Sequence, residues 1–469
     1  MRLLIFIFFL PAFLHAQTVS VSIDSLMAHV SYFSSPALSG RLPGTKGFLD
    51  AINYSENYFI NHGLVKINNH EWQQVISIET NVIDSADVII YSENGSDKLI
   101  PGVDFSVRGY SGSGNVKAPV VFCGYGVDSD NYSDFSDIDV KDKVVMVFKS
   151  NPPFLKDVLP EYSIRRVSDN AYRHGAKAVI FVSQPNQKFP QKPIGSMMHG
   201  AGVMHEDLPQ IQLSVEKAEL LLQGTGYTLK ELQSDIDLHK KPKSVSCSNQ
   251  ISVFVEATYN KNGSTNNLIA MLPGNDAKLK NEFVIICAHI DHVGSIGKTV
   301  YYPGANDNAS GSAAVLELAR IFSSEKENLK RSVLFVLFGS EEKGLDGSEY
   351  FVNNLPMPKK DIYAVFNIDC IGCGDSLMAG NGLSSPDLWN LYIDIEKLYN
   401  WQVSKNTWGG GGADLKPFYQ AGINGLYFVN TNAHQNLHLP SDNIDIINKT
   451  QYARTVEWIE KITRSIAIE

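Results

Sequence analysis

Seven residues in the C-terminal half of this sequence are of the types that bind, or act beside, a divalent metal: His289, Asp291, Asp307, Glu341, Glu342, Asp369 and His438. Several follow directly on apolar runs. His289 follows Phe283–Ala288, Glu341 and Glu342 follow Ser332–Phe338 after a Gly-Ser step, and Asp369 follows Tyr363–Ile368. Short apolar runs of this kind read as buried strands. In open α/β sheets, ligands bind beyond the carboxyl ends of the strands. Three strands that each deliver a ligand-type residue to one sheet edge carry more weight than any of those residues alone.

The spacings specify the chemistry further. His289 and Asp291 are two apart, so an extended chain puts both on one side. One ring nitrogen of His289 can then face a metal while Asp291 accepts the other N–H and fixes the tautomer. Taken alone, a surface histidine beside an acid would be the simpler reading. Asp307 lies in the glycine-flanked loop Gly304-Ala-Asn-Asp-Asn-Ala-Ser-Gly311. An acid at that place is commonly a helix N-cap, but Asn308 can take that role and leave both oxygens of Asp307 to bridge two cations. Glu341 and Glu342 are adjacent, and neighbours at a strand end point different ways. One can ligate while the other reaches a bound water. His438, with His434 as its rival, would close the second shell. Two Zn²⁺ ions would be balanced by Asp307, Glu342, Asp369 and a bridging hydroxide, as a buried ion site requires. Nitrogen and oxygen ligands without thiolate suit zinc.

The elements that must position these residues form an α/β pattern. From Ile251 onward, strands at Asn267–Leu272, Phe283–Ala288, Ser332–Phe338, Tyr363–Ile368 and Gly425–Val429 alternate with helices. Residues 101–250 have a separate character, with a Gly124-Tyr-Gly-Val127 turn and the apolar runs Lys143–Phe148 and Gly175–Val182. Residues 17–100 read as helical segments up to Gly63, around the turn-rich Ser39–Gly44, and then as short alternating strands from Trp72 to Ile100, with Asn94-Gly95 as a hairpin signal. Residues 1–16 read as a signal peptide: Arg2, an apolar run and a small residue at Ala16. No cysteine follows that site, so the expectation is a secreted or periplasmic protein without a lipid anchor, and no run is long enough to span a membrane. A formal net charge of -10 argues against a nucleic-acid partner. Of the five cysteines, Cys370 and Cys373 form a lone C-x-x-C. With no second pair to complete a structural zinc site, it reads as two apolar thiols near a strand end or a disulfide.

Five blocks occur in order: His289-x-Asp291, Gly304 to Gly311, Glu341-Glu342-x-Gly-x-x-Gly-Ser348, Asn367-x-Asp369-x-x-Gly372 and His438-x-x-x-Asp442. Together they resemble the co-catalytic zinc aminopeptidases of clan MH. Gly40-Arg-Leu-Pro-Gly44 looks like that family's N-terminal segment, and residues 101–250 look like its inserted, β-rich protease-associated domain. The resemblance implies a mixed central sheet flanked by helices, with 17–100 and 251–469 as the peptidase. It also implies peptide substrates and two Zn²⁺ per chain. His289 and Asp369 would be terminal ligands of one ion, Glu342 and His438 of the other. Asp307 would bridge, Glu341 would be the general base for a metal-bridging hydroxide, and the action would be that of an aminopeptidase. Two departures stand out: Ala413-Asp-Leu-Lys-Pro-Phe418 lacks the Ser and His of the family segment, and Leu437 replaces an aromatic. A single-zinc glutaminyl cyclase-like enzyme, or a non-catalytic secreted binding protein on the same fold, are the alternatives.

Overall fold

A computed structural model describes residues 19–67, 70–159, 163–200, 202–399 and 401–468. The leader read in residues 1–16 lies outside the described residues. The strands of the C-terminal half lie in the order Leu377–Gly380, Gly425–Asn430, Ile362–Ile368, Phe283–His289, Ser332–Phe338 and the last part of Ser244–Leu272. The four central strands run parallel, and the two outer ones are antiparallel to their neighbours. The sheet is mixed, as expected. Parallel strands are covered on both faces, which is why these runs show continuous apolar residues rather than alternation.

Alternate residues serve two cores. Val284, Ile286 and Ala288 pack with helices Ile23–Phe33, Lys46–Asn61, Ser310–Ser324 and Lys449–Ala467. Ile285 and Cys287 pack on the other face with Phe351 and Phe418, from helices Asp346–Asn353 and Leu415–Gln420. The two N-terminal helices thus belong to the same core as the strands of the C-terminal half.

Two long strands, Gln73–Ser92 and Ser244–Leu272, run antiparallel. Their register runs from Gln73 opposite Leu268 to Tyr91 opposite Gln250. The short alternating strands read between Trp72 and Ile100 are therefore mostly one strand. Bulges between Ile78 and Thr80 and between Ile83 and Ser85 reset its alternation, so it looked broken in sequence. The hairpin at Asn94-Gly95 is present, with Ser92 opposite Gly95. Beyond Gly114–Cys123 the sheet continues through the parallel strands Val144–Phe148, Ala178–Val182 and Gln210–Leu213.

One buried cation ties the N-terminal segment to the C-terminal loops. Arg41 is 1% exposed. Its guanidinium donates to the carbonyls of Phe33, Ile290, Pro303 and Gly304 at 2.5 to 3.1 Å. Burial lowers its pKa to about 10, against the pull of Asp307, Asp442, Asp291 and Glu342, so it stays charged at neutral pH. Hydrogen bonds from a charged donor contribute about 1.5–3 kcal/mol each. Arg41 thereby clamps the loop after His289 to the loop before Asp307.

Candidate metal centre

The parallel strands deliver their terminal residues to one edge. Two groups of ligand-type atoms converge there: His289, Asp307 and Asp369, and His292, Asp307, Glu342 and His438. Asp307 belongs to both. Its Oδ1 lies 3.3 Å from His289 Nε2, and its Oδ2 lies 3.2 Å from His438 Nε2. Asp369 Oδ1 is 3.5 Å from His289 Nε2, and Glu342 Oε2 is 2.8 Å from His438 Nε2. Zinc ligands at about 2.0–2.2 Å in a tetrahedron stand roughly 3.3–3.6 Å from one another, so the 3.3 and 3.5 Å separations match ligands around a shared cation, the 3.2 Å one is just short of it and the 2.8 Å one is a hydrogen-bond distance.

Local geometry holds each residue in place. Asn308 caps the following helix, its Oδ1 accepting from Gly311 N at 2.9 Å, which leaves Asp307 unencumbered. Asp442 accepts from the main-chain N–H groups of Asn306 and Asp307. Asn306 in turn joins the loop after Asp369 to the turn before His438, accepting from Gly372 and Cys373 and donating to Ala433. The glycine of the Asp307 loop is needed at Gly311, where a Cβ would meet Ile368 O at 2.4 Å. Ser340, Cys370 and His438 have left-handed backbones, with φ of 64, 52 and 55. Such conformations are uncommon outside glycine: Cys370 adjoins Asp369, His438 is itself a candidate ligand, and Ser340 adjoins Glu341. His434 is exposed and joins neither group.

Asp291 does something other than expected. Its carboxylate is 3.7 Å from His289 Nδ1, too long for a hydrogen bond. The ring nitrogen faces the Asp291 main-chain carbonyl at 3.3 Å instead. The carboxylate accepts the main-chain N–H groups of Glu341 and Glu342, because the turn after Phe338 folds back over it. Asp291 therefore positions the glutamate pair. Glu341 joins neither ligand group.

The electrostatics ask for cations. Burial pushes the Glu341 carboxyl well above its usual range, with Glu342, Asp414 and Asp369 adding to the effect and His289 opposing it. Burial likewise raises Asp291 to about 7 and Asp414 to about 6. Burial alone would lower His289 and His438, but the surrounding carboxylates hold both well above the ordinary value. Asp369 Oδ2 accepts from Tyr427 Oη at 2.9 Å, while its Oδ1 is buried with no hydrogen-bond partner among the described residues. An orphaned carboxylate oxygen aimed into a cluster of acids fits a divalent cation. The donor set of imidazole and carboxylate fits zinc.

His292 was not foreseen. Its Nδ1 is 2.8 Å from Glu342 Oε1, while the other oxygen of Glu342 faces His438. His292 thus holds the rotamer of a ligand. Removing such a partner costs about 10–100-fold in metal affinity or activity. We expect His292→Phe to weaken metal binding by that range in a chelator competition, with the fold retained in circular dichroism.

The cysteines contribute no ligand to either group. All five are unpaired, including Cys370 and Cys373. No helix among the described residues is long and apolar enough to cross a membrane.

Comparison with known proteins places this geometry in context. Residues 267–463 match the model of peptidase family M28, and residues 116–221 match the PA domain. Over 370 residues the chain is 25% identical to the aminopeptidase YwaD of Bacillus subtilis, covering 74% of this chain and 68% of that one. It is 36% identical over 171 residues to leupeptin-inactivating enzyme 1 of Streptomyces exfoliatus, covering 35% of this chain and 36% of that one. The fold is similar to that of an aminopeptidase from Aneurinibacillus sp. strain AM-1, with a TM-score of 0.65, 22% identity and 96% of each chain covered.

Proposed function

We propose that this chain, whose residues 267–463 match peptidase family M28 and whose residues 116–221 match the PA domain, is a secreted zinc aminopeptidase. One observation carries the two-metal reading: the two oxygens of Asp307 face two different histidine–carboxylate groups. His289, Asp307 and Asp369 would hold one zinc, and Asp307, Glu342 and His438 the other. When bound, such a metal pair polarises the scissile carbonyl and brings the pKa of a water toward neutrality. Glu341 takes the proton of the attacking water and passes it to the leaving amine. Asp291 keeps Glu341 and Glu342 in place through their main-chain N–H groups, and Tyr427 fixes the free rotation of Asp369. Aminopeptidase action is supported by the aminopeptidase to which three-quarters of the chain is similar. Secretion is supported by the apolar leader in the sequence. The Ala413–Phe418 segment, which lacks the Ser and His, contributes to neither ligand group, while its Asp414 acts on Glu341.

A panel of leucyl anilide, free peptides and N-acetylated peptides, with and without chelator, tests this function. The expected result is release of N-terminal residues from free peptides, no action on the blocked ones and loss of activity with chelator. Cleavage of the blocked peptides at equal rate would contradict an aminopeptidase.

A further inference from the structure

A cavity of about 440 Å³ opens beside the last helix, Lys449–Ala467, and none of the residues lining it belongs to either ligand group. Ligand pockets ordinarily run roughly 300–1,000 Å³, so it has room for a small molecule. Gln451, Arg454 and Trp458 line it from the helix, at spacings of three and four that put them on one face. Asp375 lines it from the loop that follows Asp369, and Trp401 lines it from the segment after helix Pro386–Tyr399.

Two opposite charges face this cavity without meeting. Asp375 and Arg454 are both exposed and form no ion pair with each other. Asp375 Oδ2 accepts from Asn432 Nδ2, a neutral donor that leaves its charge uncancelled. The charge of Arg454 reaches Glu457, three residues on, without an ion pair. The floor between them is aromatic. Trp401 and Trp458 have ring centroids 5.4 Å apart. Trp458 is 2% exposed, and its Nε1 is buried with no acceptor among the described residues, whereas a buried indole N–H usually has a partner. An ammonium suits Asp375 and the indole faces. A carboxylate suits the two-pronged donor of Arg454. An aliphatic side chain packs on indole. Those three groups are the parts of a free α-amino acid.

The wall of the cavity is bonded to the metal loops. Thr455, which also lines it, donates from Oγ1 to Asn430 Oδ1 at 3.1 Å. Asn430 Nδ2 donates to Ile371 O at 2.7 Å and to Cys373 O at 2.9 Å. Gly372 N and Cys373 N donate in turn to Asn306, the neighbour of Asp307. A continuous chain of hydrogen bonds thus joins the cavity to the loops that carry Asp369 and Asp307. Coupling along such a chain is established by an effect at the distant site.

We propose that this cavity binds a free α-amino acid with an aliphatic side chain, and that its occupation slows turnover at the metal centre. A free amino acid is the product an aminopeptidase releases, so the regulatory half of this inference rests on the aminopeptidase reading, and the binding half does not.

Calorimetry of the zinc-loaded protein with L-leucine, L-leucinamide and N-acetyl-L-leucine tests the binding. L-Leucine should show a binding event that Arg454→Gln and Asp375→Asn each weaken by about tenfold or more, since each removes a charge-assisted contact. The amide lacks the carboxylate and the acetyl derivative lacks the ammonium, so both should bind there about tenfold or more weakly than leucine. Both variants alter exposed residues outside the ligand groups and should hold zinc as the wild type does. With leucyl anilide as substrate, saturating L-leucine should lower apparent kcat in the wild type by about fivefold or more. In the two variants it should only raise KM, by occupying the catalytic site. No binding of leucine, or binding unchanged in both variants, would overturn the site. Binding lost in the variants with purely competitive inhibition in the wild type would overturn the coupling. A protein that hydrolyses no peptide would refute the aminopeptidase reading, and the calorimetry would still decide on the site.

Discussion

Replacing Glu341 by Gln should lower kcat by about 10²–10⁴-fold, or roughly 3–5 kcal/mol of barrier, without changing the metal content. The substitution keeps the shape of the side chain and the main-chain hydrogen bond to Asp291. What it removes is a proton acceptor. Glu341 lies outside both ligand groups, so no metal–ligand contact is lost. Emission spectroscopy of the dialysed variant, together with its turnover of leucyl anilide, reads both halves of the expectation. A loss under tenfold would place the base elsewhere, and a loss of metal would make Glu341 a ligand.

Asp307→Asn should have the largest effect on metal binding. Asp307 is the one residue common to both groups, and its two oxygens divide between His289 and His438. Asparagine is nearly isosteric but brings an amide nitrogen, which is not a ligand, and no charge. Both metals should weaken together, each by more than the roughly 10–100-fold that loss of an outer partner costs, and hydrolysis should fall below detection. His438→Ala should instead weaken one metal, because His438 belongs to a single group. Chelator competition followed in both variants separates these outcomes. Weakening of only one metal in Asp307→Asn would show that the carboxylate does not bridge.

The site was legible where chemistry coincided with periodicity. His289, Glu341, Glu342 and Asp369 stand at the ends of apolar strands, and the parallel sheet brings such ends together whatever the loops do. Asp307 and His438 were singled out by their flanking glycine, asparagine and aspartate, and Asn308 and Asp442 have the hydrogen bonds that explain those neighbours. His292 was missed because it lies in a loop three residues beyond His289, where no period marks its direction. Its proximity to His289 in sequence was the available signal. Arg41 was visible only as part of a glycine-rich turn, since arginine is rarely fully buried and nothing local announces four carbonyl partners. Asp375 and Arg454 are far apart in sequence, and only the packing of the last helix beside the edge strand sets them on one cavity. The role of Asp291 differed because side-chain spacing on an ideal strand ignores the turn that folds Glu341 and Glu342 back onto it.

In the proposed function, two metals and one glutamate act together on peptide substrates. Stepwise addition of zinc to the chelated protein, followed by hydrolysis of leucyl anilide, tests it most directly. Activity should appear only as the second equivalent binds and should reach its plateau at two zinc ions per chain. Full activity at one equivalent, or one tightly bound zinc and no hydrolysis at any ratio, would contradict it.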